Sequence, residues 1–177
     1  MNCYILTGGR STRMGRSKTE LFLDRVVAAA EPVFEELVAV QRPEGGPLSI
    51  RTIHEPPHPG QAPLFGVLRA LDDAGGRCFI LAVDYALITA AVLRRLRARA
   101  EASTAALVVP VWRGLPQPLC AGYDPGAAPL IRRRIDERRL DLMGLIEEAA
   151  AERFDFDGPE LLSVNTAADL EEAERLR

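Results

Sequence analysis

Between the first apolar run and the first helical pattern the chain reads Leu6-Thr7-Gly8-Gly9-Arg10-Ser11-Thr12-Arg13-Met14-Gly15-Arg16-Ser17-Lys18. Gly8, Gly9 and Gly15 permit close backbone approaches that a β-carbon would block. Arg10, Arg13, Arg16 and Lys18 put four positive charges into nine residues, a density that suits a triphosphate. Amides of such a loop, and the N-terminus of a helix that follows it, face an anion well. The segment is not a Walker A loop, which sets Gly beside Lys; Arg16 and Ser17 separate Gly15 from Lys18. Farther on, Asp84 ends the apolar run 79–83. A carboxylate at the C-terminal tip of a central parallel strand lies where open α/β sheets bind their ligands, and an oxygen ligand for Mg²⁺ belongs there. His54-Glu55-x-x-His58 copies the spacing of a zinc-protease helix, yet Pro56 and Pro57 cannot sit inside one, which removes zinc proteolysis. Arg132-Arg133-Arg134 and Arg138-Arg139 interleave with Asp136 and Glu137, so a solvated arginine face is expected there.

Positioning these residues requires a sheet with helices around it. Short apolar runs alternate with helical patterns over 3–6, 20–30, 37–40, 52–54, 63–74, 78–83, 89–100 and 105–111. That rhythm predicts an α/β fold with a mostly parallel sheet. Leu64, Val67, Leu68 and Leu71 recur at the spacing of one buried helix face, behind Pro63 at a favourable first position. The turn-rich Trp112-Arg113-Gly114-Leu115-Pro116 lies between the runs 107–111 and 117–123, which predicts an inserted antiparallel hairpin. Helical patterns over 132–139 and 142–150 follow, then apolar runs at 153–156 and 161–164 around a Gly158-Pro159 turn. Thr166 with Asp169 three residues on predicts the capped start of a last helix.

All of this fits one domain over residues 1–177, with 47% apolar and 27% charged residues. The formal net charge of −3 offers no general attraction to nucleic acid or to an anionic membrane, so phosphate binding must be local. The three cysteines, Cys3, Cys78 and Cys120, lie far apart in apolar stretches and read as reduced core residues. Met1-Asn2 runs straight into Cys3-Tyr4-Ile5-Leu6 without a charged leader, and no apolar run approaches a membrane span, so a cytoplasmic protein is expected.

Leu6–Gly9 followed by Ser11, Arg13-Met14-Gly15 and Lys18 resembles the signature L-x-G-G-x-S-x-R-M-G-x-x-K of the nucleotidyltransferases that make molybdenum cofactor dinucleotides. The resemblance continues through Pro63-Leu64-x-Gly66, Asp84, Gln117-Pro118-Leu119 and Val164-Asn165-Thr166-x-x-Asp169-Leu170, in family order over nearly the whole chain. It implies a three-layer, Rossmann-like nucleotidyltransferase fold. The reaction it implies is transfer of a nucleoside monophosphate, GMP first, from an Mg²⁺-bound triphosphate to molybdopterin, with release of pyrophosphate. By resemblance Leu6, Thr7, Gly8, Gly9, Glu55 and Gly66 would line the nucleotide. Arg13 and Lys18 would neutralise its phosphates, and Asp84 would hold the metal. Asn165 and Arg139 would serve the acceptor. Implied partners are GTP or CTP, molybdopterin, and transient contact with insertion proteins or target molybdoenzymes.

The chain also departs from the pattern. Asp84-Tyr85-Ala86 replaces D-x-P, Ser163 stands for the first asparagine of N-x-N-T, and the connection after Lys18 is short. Ala62 replaces a glycine before Pro63, and Gln41 stands where an asparagine often follows the second strand. These departures motivate two rival readings, a degenerate homologue that binds nucleotide without transfer, and a transferase for another phosphorylated acceptor.

Overall fold

The computed structural model describes residues 1–7, 18–58 and 62–176. Gly8, Gly9 and Arg13, assigned to the nucleotide above, therefore lie outside the described residues.

Chain order is β1 (Cys3–Leu6), α1 (Lys18–Ala30), β2 (Leu37–Gln41), β3 (Arg51–His54), α2 (Pro63–Ala74), β4 (Cys78–Ala82), α3 (Ala90–Ala102), β5 (Leu107–Trp112), β6 (Leu115–Pro116), β7 (Cys120–Tyr123), α4 (Ala128–Asp136), α5 (Leu142–Glu148), β8 (Glu152–Asp155) and α6 (Ala167–Arg175). β3, β2, β1 and β4 run parallel in that spatial order. β7 then pairs antiparallel with β4 and with β5, and β8 joins β5 in parallel. The expected mostly parallel core with an antiparallel insertion is what the chain forms.

Period-two alternation along the central strands sends side chains to two faces. Cys3, Ile5, Phe79 and Leu81 meet Phe22 and Val26 of α1, Leu93 and Leu96 of α3, and Ala173 of α6. Tyr4, Leu6, Cys78 and Ile80 meet Leu64 and Val67 of α2, Ile131 of α4 and Leu145 of α5. Burial on both faces makes three layers and explains why these strands read as unbroken apolar runs. The three cysteines are free and buried in this core.

α1 leads the chain from β1 to β2 on one flank, while α2 leads it from β3 to β4 on the other flank of β1. Right-handed crossovers in opposite directions put the two helices on opposite faces. The strand order therefore reverses between β1 and β4, and a crevice opens past their C-terminal ends.

The hairpin turns at Arg113 and Gly114, with φ of 50° and 75°. Two successive left-handed residues match the twist of antiparallel strands, and glycine takes the second at no steric cost. Thr166 and Asp169 form the predicted capping box of α6.

Three expectations need correction. α4 begins at Ala128 rather than near 132, because Pro129 in the first turn is compatible with a helix start. Residues 161–164 add no strand: Leu161, Leu162 and Val164 are buried, but Pro159–Leu161 is a 3₁₀ turn and the segment packs beneath the sheet. The arginine run is not uniformly solvated. Arg134 is 2% exposed and binds Asp141 and Glu148, while Arg139 also clasps Glu148. Hydrogen bonds from Arg139 and then Arg134 hold the Glu148 carboxyl down at about 2.

Candidate active site

The crevice is built first from the ends of β1 and α1. Val83 N–H donates to Leu6 O (3.1 Å), and Thr7 donates both its N–H (3.1 Å) and its hydroxyl (3.0 Å) to Val40 O. Thr7 is thus locked to β2. The Thr19 hydroxyl donates to Thr7 O at 3.0 Å, which ties the first turn of α1 back to the end of β1. Thr7 and Thr19 are thus joined directly, and Lys18 starts α1 beside them.

Lys18 Nζ donates to Asp84 Oδ2 at 3.0 Å and to Asn165 Oδ1 at 2.7 Å. These residues are 66 and 147 positions from Lys18 in sequence. The Lys18 and Asp84 side chains are 15% and 16% exposed, so the pair is partly desolvated and open to a ligand from one side. Asp84 Oδ1 is buried and accepts no hydrogen bond from the described residues. An unmet carboxylate oxygen in this setting is a strong acceptor for a cation or a donor.

Asn165 is aimed by its neighbours. Its amide Nδ2 donates to Ser163 Oγ (2.8 Å), leaving Oδ1 for Lys18, and its backbone N–H donates to Asp169 Oδ2 (2.9 Å). Ser163 thereby orients the asparagine. Val164 N–H donates to Asp84 O (2.9 Å), so the segment before α6 is bonded to the Asp84 loop itself.

Glu55 follows β3 and is 8% exposed. Its Oε2 pairs with His58 Nε2 at 2.7 Å, and the His58 ring stacks on Phe65 at 3.6 Å. The His54-Glu55-x-x-His58 spacing is therefore not a helical metal motif. Among the described residues no group of three His, Cys, Asp or Glu side chains is arranged to hold a metal.

Gly66 lies against both Glu55 and Leu6: a β-carbon there would meet Glu55 Oε1 at 2.8 Å and Leu6 Cδ2 at 3.3 Å. Helix propensity alone would favour Gly66→Ala by about 1 kcal/mol. Crowding a carboxylate pinned by His58 costs about 1–3 kcal/mol and should win. A lowered thermal midpoint for Gly66→Ala is expected, with much of the loss recovered in the Glu55→Ala background. A midpoint at or above wild type in Gly66→Ala would contradict this contact.

Of the residues expected from sequence, Leu6, Thr7 and Lys18 lie at the ends of β1 and α1, and Lys18, Asp84 and Asn165 meet directly. Gly66 adjoins both Glu55 and Leu6. Arg139 is not bonded to this cluster; it pairs with Glu137 and Glu148 after α4. Thr19 and Ser163 were not singled out for their role in the site, because their bonds join positions that only the folded chain brings together.

The MobA-like NTP transferase domain matches residues 3–152. A Carboxydothermus hydrogenoformans protein named probable molybdenum cofactor guanylyltransferase is 28% identical over 182 residues, covering 94% of this chain and 91% of that protein. A Mycobacterium avium protein of the same name is 31% identical over 182 residues, with 94% and 91% covered. Among solved structures, molybdopterin-guanine dinucleotide biosynthesis protein A from Archaeoglobus fulgidus superposes with a TM-score of 0.83 at 24% identity, covering 99% of this chain and 97% of the other. The matched domain takes in β1 through the start of β8 and so includes both Lys18 and Asp84, and the chain belongs to the MobA-like NTP transferase family.

Proposed function

We propose that this chain is a nucleotidyltransferase that moves GMP from GTP to molybdopterin and releases pyrophosphate. The observation that carries the reading is the convergence of Lys18, Asp84 and Asn165 beyond the C-terminal ends of β1 and β4. The names of the relatives support the choice of nucleotide and acceptor.

A terminal phosphate oxygen of the acceptor attacks the α-phosphorus, a new P–O bond forms, and the bond from the α-phosphorus to the bridging oxygen breaks. Catalysis of this kind is mostly positioning and charge neutralisation. Lys18, held by two oxygen acceptors, presents its ammonium to phosphate oxygens, and Arg13 adds a second cation from the glycine-rich segment. Thr7, Glu55 and Gly66 shape the nucleotide side. Asn165 lies on the α6 side of Lys18 and orients the acceptor.

The donor set fits Mg²⁺, which commonly takes one or two carboxylates and fills its shell with substrate phosphates and water. Asp84 Oδ1 is the unsatisfied oxygen that would hold it. When bound, the ion would offset negative charge on the phosphates. Buried free cysteines suit a cytoplasmic setting, and no helix among the described residues is long and apolar enough to cross a membrane. Transient contact with insertion proteins or target molybdoenzymes would deliver the product.

Calorimetric titration of GTP, CTP, ATP and UTP, with and without Mg²⁺, tests the reading. Mg²⁺-dependent binding with GTP tightest is expected, followed by pyrophosphate release once molybdopterin is supplied. Absence of binding by every triphosphate would overturn it, and preference for CTP would move the activity to a cytidylyl transfer.

A further inference from the structure

We infer that Tyr85 and Gln117 are positioning residues that set the Asp84 carboxylate by clamping the loop after β4 to the inserted hairpin. The inference rests on the reading of Asp84 as the metal ligand.

Two backbone carbonyls of this loop are bonded from elsewhere: Val164 N–H donates to Asp84 O at 2.9 Å, and Arg25 donates to Ala86 O at 3.1 Å. Between them, the Tyr85 side chain turns into the core packed against α1 and α3 and is 3% exposed. Its hydroxyl donates to Gln117 Oε1 at 3.0 Å.

Gln117 is itself immobilised. Its N–H donates to Pro110 O (2.9 Å), its Nε2 donates to Leu115 O (3.0 Å), and its carbonyl accepts from Cys120 N–H (3.1 Å). One residue thus uses its backbone to join β5 to the return arm of the hairpin and its side chain to reach Tyr85. Ala82 N–H also donates to Leu119 O at 2.7 Å. The hairpin therefore grips the chain at positions 82 and 85, on either side of Asp84. A carboxylate flanked by two cross-links loses rotational freedom before any ligand arrives, which is the condition for a preorganised ligand oxygen.

The probe is Mn²⁺, followed by the enhancement of water-proton relaxation as it binds the full chain in saturating GTP, a signal that the fast-tumbling Mn²⁺–GTP complex in solution gives only weakly. Tyr85→Phe removes one oxygen and keeps the ring, and is expected to raise the half-saturating Mn²⁺ concentration about 10-fold. Gln117→Ala should give a similar rise. The double variant should match Gln117→Ala rather than multiply the two effects, because Gln117→Ala already lacks the bond that Tyr85→Phe breaks. The thermal midpoint of Tyr85→Phe should stay within a few degrees of wild type.

Wild-type half-saturation in Tyr85→Phe, or effects that multiply in the double variant, overturns the positioning role. If Gln117→Ala does not fold, Tyr85→Phe decides alone. A wild-type chain that takes up no Mn²⁺ with GTP overturns the metal reading of Asp84 and this inference with it. Wild-type uptake that Tyr85→Phe leaves unchanged overturns the inference alone.

Discussion

Asp84→Ala is expected to lower pyrophosphate release with GTP and acceptor by about 10³-fold, the consequence of losing about 4 kcal/mol of charge stabilisation around the phosphates. The size follows from what Asp84 does. Oδ2 anchors Lys18, and Oδ1 is the buried oxygen proposed to hold a cation, so one truncation removes the proposed metal ligand and one of the two acceptors that Lys18 has among the described residues. Asp84→Asn keeps an oxygen but not the charge and should lose nearly as much. The structural cost is much smaller. Between the values for exposed and buried pairs, loss of this partly exposed bridge costs about 1–2 kcal/mol. In a chain of this size that lowers the thermal midpoint by about 2–8 °C. Turnover measured beside thermal denaturation separates the two effects. Retention of activity within about 10-fold of wild type would remove Asp84 from the mechanism.

Lys18→Ala is expected to lower kcat/KM for GTP by about 10²–10³-fold, as for removal of one oriented donor from developing negative charge. Two consequences of opposite sign distinguish this role from a merely structural one. Without Lys18, the Asp84 carboxylate faces the triphosphate unscreened, so nucleotide binding weakens. The same carboxylate is no longer shared with an ammonium, so Mn²⁺ in the absence of nucleotide should bind more tightly. A variant that weakens both, in proportion to lost folded protein, would contradict the assignment. Lys18→Arg should not restore activity. The Asp84 and Asn165 oxygens, 3.0 and 2.7 Å from Nζ, converge on a compact ammonium, whereas a guanidinium spreads its donors over a planar fork.

The Asp84 loop shows how a departure from a family pattern is read in three dimensions. In sequence, Ala86 in place of the proline of D-x-P leaves the path of the loop open. Folded, Tyr85 points away from the crevice into the core and is bonded to Gln117, so it supports the site from beneath. Ser163 has a similar history. Where an asparagine was expected, its hydroxyl accepts the Asn165 amide and turns Oδ1 toward Lys18. Ser163 keeps a polar partner for Asn165, and Tyr85 ties the Asp84 loop to the hairpin.

Arg139 marks the opposite case. A basic residue near the last long helical segments suggested an acceptor contact, but charge in sequence carries no direction. Three arginines share Glu148, and the buried one, Arg134, also reaches Asp141. The cluster binds α4 to α5.

The sequence by itself determined the order of strands and helices, the buried face of α2, the hairpin turn and the cap of α6, because each depends on near-neighbour spacing or backbone preference within a few residues. It also named Lys18, Asp84 and Asn165. Their meeting point, the unsatisfied Asp84 oxygen, the Glu55–Gly66 contact and the burial of Arg134 were decided only by the tertiary structure. The first two arise from the reversal of strand order between β1 and β4 and from the antiparallel return of the hairpin, the others from how α2 packs on the end of β3 and α4 on α5. The reversal and the hairpin return bring together backbone ends and side chains that lie far apart in the chain, and local sequence preference has no means of encoding which of them will share a carboxylate.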